Sequence, residues 1–137
     1  MSWDEERIRS VLHTLARHRG DSTLIEVKRA DKGLPKSLPE TICAFANMPD
    51  GGTIILGVDE RSGFTITGVG NPAEIEGGIA SQAREAVDPP PFIATTSVDI
   101  DGKTLVVAEI TGLSITNRPA RHKGRAYLRQ ADGDYVM

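Results

Sequence analysis

The sequence has 137 residues, of which 39% are hydrophobic and 26% charged, with a formal net charge of -3. These values predict a single globular domain over residues 1–137 and exclude a disordered chain. No apolar run reaches the ~18 residues of a membrane helix, and the acidic first six residues are unlike a secretion signal, so we expect a cytoplasmic protein. The single cysteine, Cys43, excludes an internal disulfide and a cysteine-based zinc cage.

Apolar residues at helical spacing predict three helices, over residues 3–19, 38–47 and 72–87. Ser2 and Glu5 form a capping box at the start of the first helix, and Gly20 is a suitable end. Pro39 and Pro72 suit the first turns of the second and third helices.

Apolar runs bounded by turn residues predict six strands, over residues 23–28, 53–58, 64–69, 92–100, 103–110 and 126–130. Asp101-Gly102 joins the fourth and fifth strands as a hairpin, and residues 126–130 are expected to be the last strand. Together the elements predict an α+β fold, in which a mixed, largely antiparallel central sheet is flanked by about three helices.

A basic stretch near the end of the chain contains no acid. Its members are Arg118, Arg121, Lys123, Arg125 and Arg129, with His122 and Tyr127 among them. Arg and Lys neutralise phosphates, and the two rings are candidates for stacking on a base, so the stretch predicts nucleic-acid binding. The alternative is a solvated loop whose charges keep a sheet edge from pairing with another chain.

A group of acids forms a second candidate site. Glu26 and Lys28 point to one face of their strand, and Asp59 lies at the end of a strand that we expect to be its neighbour. Carboxylates clustered without His or Cys favour hard cations such as Mg²⁺ or Mn²⁺, which activate water near a scissile phosphate. The alternative is a surface ion pair between Glu26 and Lys28.

A glycine pair follows the second helix. Asn47 closes that helix, and Gly51-Gly52 permit a tight turn or a close approach of the backbone. A phosphate cradle is one interpretation, but no P-loop or dinucleotide-binding motif is present in the chain. We therefore predict that these residues shape a corner between a helix and a strand.

Four stretches follow one another in a distinctive order: D-S-T-L-I-E-V-K at 21–28, A-F-A-N at 44–47 with G-G-T-I-I-L-G-V-D at 51–59, I-T-G-V at 66–69, and R-P at 118–119 with R-A-Y-L-R at 125–129. Together they resemble the Schlafen-type AlbA-like domain. The sequence departs from the family pattern at Asp21, where Glu is usual, at Val27, where Phe is usual, and at the added residues 48–50.

The resemblance implies a DNA-binding module at the front of a bacterial transcriptional regulator, and the absence of a closing helix predicts an N-terminal fragment of a longer protein. It also implies an alternative, because some Schlafen relatives cut structured RNA with an acidic triad. That triad corresponds to Asp21, Glu26 and Asp59, which would hold Mg²⁺ or Mn²⁺, with Lys28 beside them.

Three hypotheses therefore stay open. The first is a DNA-directed, regulatory nucleic-acid-binding domain that contacts phosphates through the basic stretch. The second is a metal-dependent endoribonuclease acting on structured RNA through the acidic triad. The third is a dimerisation or sensor module whose partner lies beyond Met137, and a stable homodimer without affinity for nucleic acid would favour it. Whether the protein is an enzyme depends on which hypothesis holds.

Overall fold

A computed structural model describes residues 2–18, 22–130 and 133–137. The three predicted helices are confirmed as α1 (Glu5–Arg17), α2 (Leu38–Ala46) and α3 (Pro72–Glu85). The predicted capping box is wrong, because Asp4 caps α1 and accepts a hydrogen bond from the Arg7 backbone N–H at 2.8 Å. Within the described ranges, no helix is long and apolar enough to cross a bilayer.

The strands are β1 (Ile25–Lys28), β2 (Gly52–Leu56), β3 (Val58–Asp59), β4 (Thr65–Ile66), β5 (Ile93–Ile100), β6 (Lys103–Ile110), β7 (Arg121–His122), β8 (Arg125–Gln130) and β9 (Gly133–Val136). The main sheet has the order β1-β2-β6-β5, in which β1 and β2 are parallel and the other pairs antiparallel. This confirms the predicted α+β fold with a mixed, largely antiparallel sheet.

Two smaller sheets accompany the main sheet. β3 pairs with β4, and β7, β8 and β9 form an antiparallel sheet in that order. The prediction that residues 126–130 form the last strand is therefore wrong, since β9 follows and pairs with β8. The predicted β5–β6 hairpin is confirmed, and Asp101 and Gly102 take φ values of 51° and 77°, as a tight two-residue turn requires.

The core lies on both faces of the main sheet. Leu105 and Val107 of β6 face α1 and Trp3, whereas Val106 and Ala108 of the same strand face α2 and α3. This alternation follows from the two-residue period of a strand. The β7–β8–β9 sheet packs on α2, so α2 lies between the main sheet and this smaller sheet.

The glycine pair shapes the corner after α2, as predicted. Gly51 has a φ of 65°, and a side chain there would collide with the carbonyl oxygen of Ile110. A side chain on Gly52 would collide with the ring of Phe45. Both positions therefore need glycine for close packing within the protein, which leaves the phosphate-cradle interpretation without support.

Candidate nucleic-acid interface

The basic stretch forms a β-hairpin, here called the basic hairpin (residues 121–126), with its turn at Lys123-Gly124. Arg121, Lys123 and Arg125 are exposed, and in the described part of the chain no carboxylate lies within 4.0 Å of their charged groups. Arg121 is opposite Ala126 in the register, so Arg121 and Arg125 project from opposite faces of the hairpin. The hairpin therefore presents positive charge on both faces and at its tip that has no carboxylate partner among the described residues.

The hairpin backbone is fixed to the end of α3. The N–H of Arg121 donates to the carbonyl of Asp88 at 2.8 Å, and the N–H of Asp88 donates back at 2.9 Å. The Nδ1 atom of His122 lies 2.7 Å from the carbonyl oxygen of Ala86, which can only accept, so Nδ1 is the donor. These contacts position the three cations on an ordered backbone.

Asn47 provides a second anchor, which the sequence interpretation missed. Its Nδ2 donates to the carbonyl oxygens of Ala120 at 3.1 Å and Tyr127 at 2.7 Å, and its Oδ1 accepts from the N–H of Ala120 at 2.6 Å. The Cys43 thiol also contacts the Ala120 carbonyl oxygen, at 3.3 Å, and burial raises the pKa of that thiol. In the sequence, the only indication of this anchoring role was an Asn side chain, which has both donor and acceptor atoms, at the end of an apolar helix.

Arg129 does not belong to this surface, so its predicted phosphate contact is wrong. The residue is 3% exposed. Its Nη1 donates to Glu26 at 2.8 Å and Asp134 at 3.1 Å, and its guanidinium lies 5.2 Å from the ring centre of Phe45. Strand β9 supplies Asp134, and because this strand was not predicted, no partner for a buried Arg129 was expected.

Three more residues of the basic stretch are half-buried. Tyr127 packs against the core, and the backbone contact described above holds His122, which argues against the predicted stacking of these rings on a base. Arg118 has a buried Nε atom that finds no partner among the described residues. The predicted phosphate contacts that remain well exposed are those of Arg121, Lys123 and Arg125.

A family model described as "Schlafen, AlbA_2" matches residues 21–137. The chain belongs to this family. The Schlafen AlbA_2 chain is similar to the N-terminal domain of the "putative ATP-dependent DNA helicase RecG-related protein" of Nitrosomonas europaea, with 31% identity over 93% of this chain and 86% of that chain and a TM-score of 0.70.

The DIP2311 protein of Corynebacterium diphtheriae has the same fold, with a TM-score of 0.65 at 16% identity. The match covers 95% of the Schlafen AlbA_2 chain but 29% of the DIP2311 chain. No curated protein matches the chain.

Glu26 and Asp59, two of the three acids of the predicted triad, line the same pocket, and both carboxylates already have hydrogen-bond partners. Glu26, Lys28 and Asp59 line one shallow open pocket of about 290 Å³. Glu26 binds Arg129, and the Nζ of Lys28 donates to Ser37 at 2.8 Å, so the alternative of a Glu26–Lys28 ion pair is wrong.

Asp59 is held by its own loop. Its carboxylate accepts from the hydroxyl of Ser62 at 2.7 Å and from the N–H of Arg61 at 3.1 Å, and Arg29 lies 3.8 Å away. The Ser62 hydrogen bond, followed by the Arg61 N–H and the nearby arginines, holds the pKa of Asp59 below its ordinary value, despite opposing desolvation.

The fit of a metal ion can be tested on these side chains. Within residues 2–18, 22–130 and 133–137, no three His, Cys, Asp or Glu side chains gather as a set of metal ligands. The carboxylates of Glu26 and Asp59 carry the hydrogen bonds described above, and the described residues do not by themselves form a set of ligands for Mg²⁺ or Mn²⁺. Asp21, the third member of the predicted triad, lies outside the described residues.

Proposed function

We propose that the chain binds nucleic acid through phosphate contacts made by Arg121, Lys123 and Arg125. The observation that carries this proposal is that these exposed cations have no carboxylate partner among the described residues, although their backbone is anchored to α2 and α3. Membership of the AlbA_2 family and similarity to a RecG-related N-terminal domain support a nucleic-acid-related role.

The electrostatics of the hairpin support the proposal despite the net charge of -3. An Arg or Lys that is already paired with a carboxylate gains little from a phosphate, whereas an unpaired one releases counterions when a phosphate binds. Arginine adds a fork of donors that matches two phosphate oxygens. A fixed backbone also reduces the entropy lost when the side chains settle on a ligand.

DNA is the preferred ligand of the proposal, in a regulatory role. The preference rests on the similar N-terminal domain, which belongs to a protein named as related to a DNA helicase. Because phosphates dominate the contacts available to an exposed Arg–Lys–Arg hairpin, we expect little discrimination between DNA sequences.

The experiment is fluorescence anisotropy with duplex DNA and with tRNA at low salt. Replacing Arg121 and Arg125 with Ala together should weaken binding roughly tenfold or more on any sequence. The matched control replaces Arg9 and Arg17 with Ala, which removes the same charge from α1, on the other face of the main sheet. Equal affinity of the hairpin variant and the control variant would contradict the proposal.

The same samples address the two alternatives. RNA recovered after incubation with Mg²⁺ or Mn²⁺ is run on a gel, and cutting that is lost in Glu26→Ala would favour the endoribonuclease. Light scattering measures the oligomeric state, and a stable dimer without affinity for nucleic acid would favour the dimerisation or sensor module.

A further inference from the structure

Tyr135 is an exposed aromatic residue on the small sheet. The residue is 52% exposed, although Tyr and other large rings usually bury most of their surface. It lies opposite Leu128 in the β8–β9 register, and Arg121 lies opposite Ala126 in the β7–β8 register. Because opposed residues share a face and alternate residues along a strand share a face, Tyr135 and Arg121 project from the same side of the sheet.

The other side of this sheet is covered by α2. Tyr127 packs against the core there, and Arg129 reaches Glu26 and lies over Phe45. The side that carries Tyr135 and Arg121 is here called the outer face. Its remaining members are small, apolar or uncharged: Ala126, Leu128, Gln130 and Met137.

One side of the Tyr135 ring lies against the backbone of Gly133. A β-carbon built on Gly133 would lie 3.0 Å from two atoms of the Tyr135 side chain and 3.1 Å from a third. The side chain of Tyr135 therefore lies along the bare backbone of Gly133. An aromatic ring supported on one side and open on the other is the arrangement on which a nucleic-acid base stacks.

The spacing of ring and cation suits one nucleotide and its neighbour. Tyr135 and Arg121 are two strands and two residues apart, which is about 12 Å between their Cα atoms for strands ~4.8 Å apart with a rise of ~3.4 Å. An extended arginine covers much of that distance, so a base on the ring and a phosphate on the guanidinium can belong to the same short segment of chain.

We propose that the outer face binds an unpaired base, which stacks on Tyr135 while Arg121 contacts a phosphate of the same strand. This inference rests on the proposed function and narrows it to nucleic acid with unpaired bases: single strands, gaps or loops. In duplex DNA both faces of each base are already stacked, so a duplex uses the basic hairpin alone.

The test compares two ligands in the full chain: a single-stranded oligothymidylate of about 12 nucleotides, and a duplex of about the same length. Tyr135→Ala should weaken binding to the single strand roughly tenfold and leave duplex binding unchanged. Tyr135→Phe keeps the ring and should bind the single strand like the wild type. The matched control is Phe92→Ala, which removes another exposed aromatic residue from outside the small sheet.

A spectroscopic measurement accompanies the affinities. Tyr135→Trp places an indole on the outer face, and stacking should quench its fluorescence when oligothymidylate is added. Trp3 supplies the baseline in the wild type, because it is buried against α1 and donates to Glu109. Thermal melting of each variant checks that the fold is retained.

The outcomes separate the two proposals. Single-strand affinity that falls in Tyr135→Ala and survives in Tyr135→Phe supports base stacking on Tyr135. Single-strand affinity that is equal in Tyr135→Ala and the wild type, while the double Arg121/Arg125 variant loses binding, overturns base stacking on Tyr135 and leaves the proposed function intact. Equal losses on single strand and duplex in Tyr135→Ala overturn it as well. No binding of either ligand by the wild type overturns both proposals.

Discussion

The basic hairpin and the pocket lined by Glu26, Lys28 and Asp59 differ in whether their charged side chains have partners. Glu26 and Asp59 of the pocket are held by Arg129 and by Ser62. Arg121 and Arg125 of the hairpin have no carboxylate partner among the residues described. Both regions lie within residues 21–137, which the family model matches, and among the described residues it is the hairpin whose cations lack a carboxylate partner. A charged residue therefore points to a ligand only when the fold leaves it unpaired.

The contrast between the two regions predicts its largest loss of stability at Arg129. Replacing it with Met keeps most of the volume but leaves Glu26 and Asp134 largely buried without their cation. We expect the free energy of unfolding to fall by about 3–5 kcal/mol, because removing one partner of a buried ion network leaves uncompensated charge. Urea denaturation measures this loss.

Arg125→Met is the matched control for Arg129. Arg125 is exposed and unpaired in the described part of the chain, so the same substitution there should change stability by less than about 0.5 kcal/mol. The hairpin variant should lose affinity for nucleic acid instead. If Arg129→Met kept its stability and lost binding, Arg129 would be a ligand contact and the contrast between the regions would fail.

Asn47 connects the core to the hairpin, and its removal sharpens the comparison. Asn47→Ala leaves the N–H of Ala120 and the carbonyl of Tyr127 without their side-chain partners. We expect a loss of about 2–4 kcal/mol in unfolding free energy, and weaker nucleic-acid binding although Asn47 is 5% exposed. Asn117→Ala, at an exposed site, is the control. Unchanged binding would show that Asn47 does not position the cations.

Glu26→Gln gives a smaller effect and separates structure from catalysis. The amide oxygen still accepts from Arg129, and Asp134 still supplies a negative charge. We expect a loss of about 1 kcal/mol, since a charge-assisted hydrogen bond becomes a neutral one. Nucleic-acid binding should stay the same. Metal-dependent RNA cutting that disappears in this variant would instead give Glu26 a catalytic role.

The smallest effect is expected at Asp59 and depends on pH. Because the Ser62 hydrogen bond lowers the pKa of Asp59 in the folded state, that bond stabilises the protein above the ordinary value of 3.8 and is lost as the pH falls through the lower, folded value. Melting curves of the wild type and Ser62→Ala should differ at neutral pH and converge in acid. A difference that persists in strong acid would mean that Ser62 acts independently of the carboxylate charge.

Local signals in the sequence located most elements of the fold. The helical spacing and prolines marked all three helices, and Asp101-Gly102 marked the β5–β6 hairpin, because these patterns act over a few neighbouring residues. Strand β9 was missed because Gly133–Val136 is only four residues long. The capping residue of α1 was misplaced because Asp4 and Ser2 are both good caps and only geometry distinguishes them.

The candidate site was less predictable, because it depends on contacts between distant residues. Arg129 and Arg125 are the same residue type, and both lie on β8. What separates them is that Arg129 faces Glu26, 103 positions away in sequence, whereas Arg125 lies beside the turn. Asn47 likewise contacts Ala120 across 73 positions. A single sequence carries no record of such pairings.

The most direct test of the account is the salt dependence of duplex DNA binding by the wild type and by the Arg121→Ala/Arg125→Ala variant. Each phosphate contact contributes about 0.9 to the slope of log Kd against log salt concentration. We predict that the variant's slope is smaller than the wild-type slope by about 2, whereas the Arg9→Ala/Arg17→Ala control keeps the wild-type slope. Equal slopes in all three proteins would show that the basic hairpin does not contact phosphates and would contradict the account.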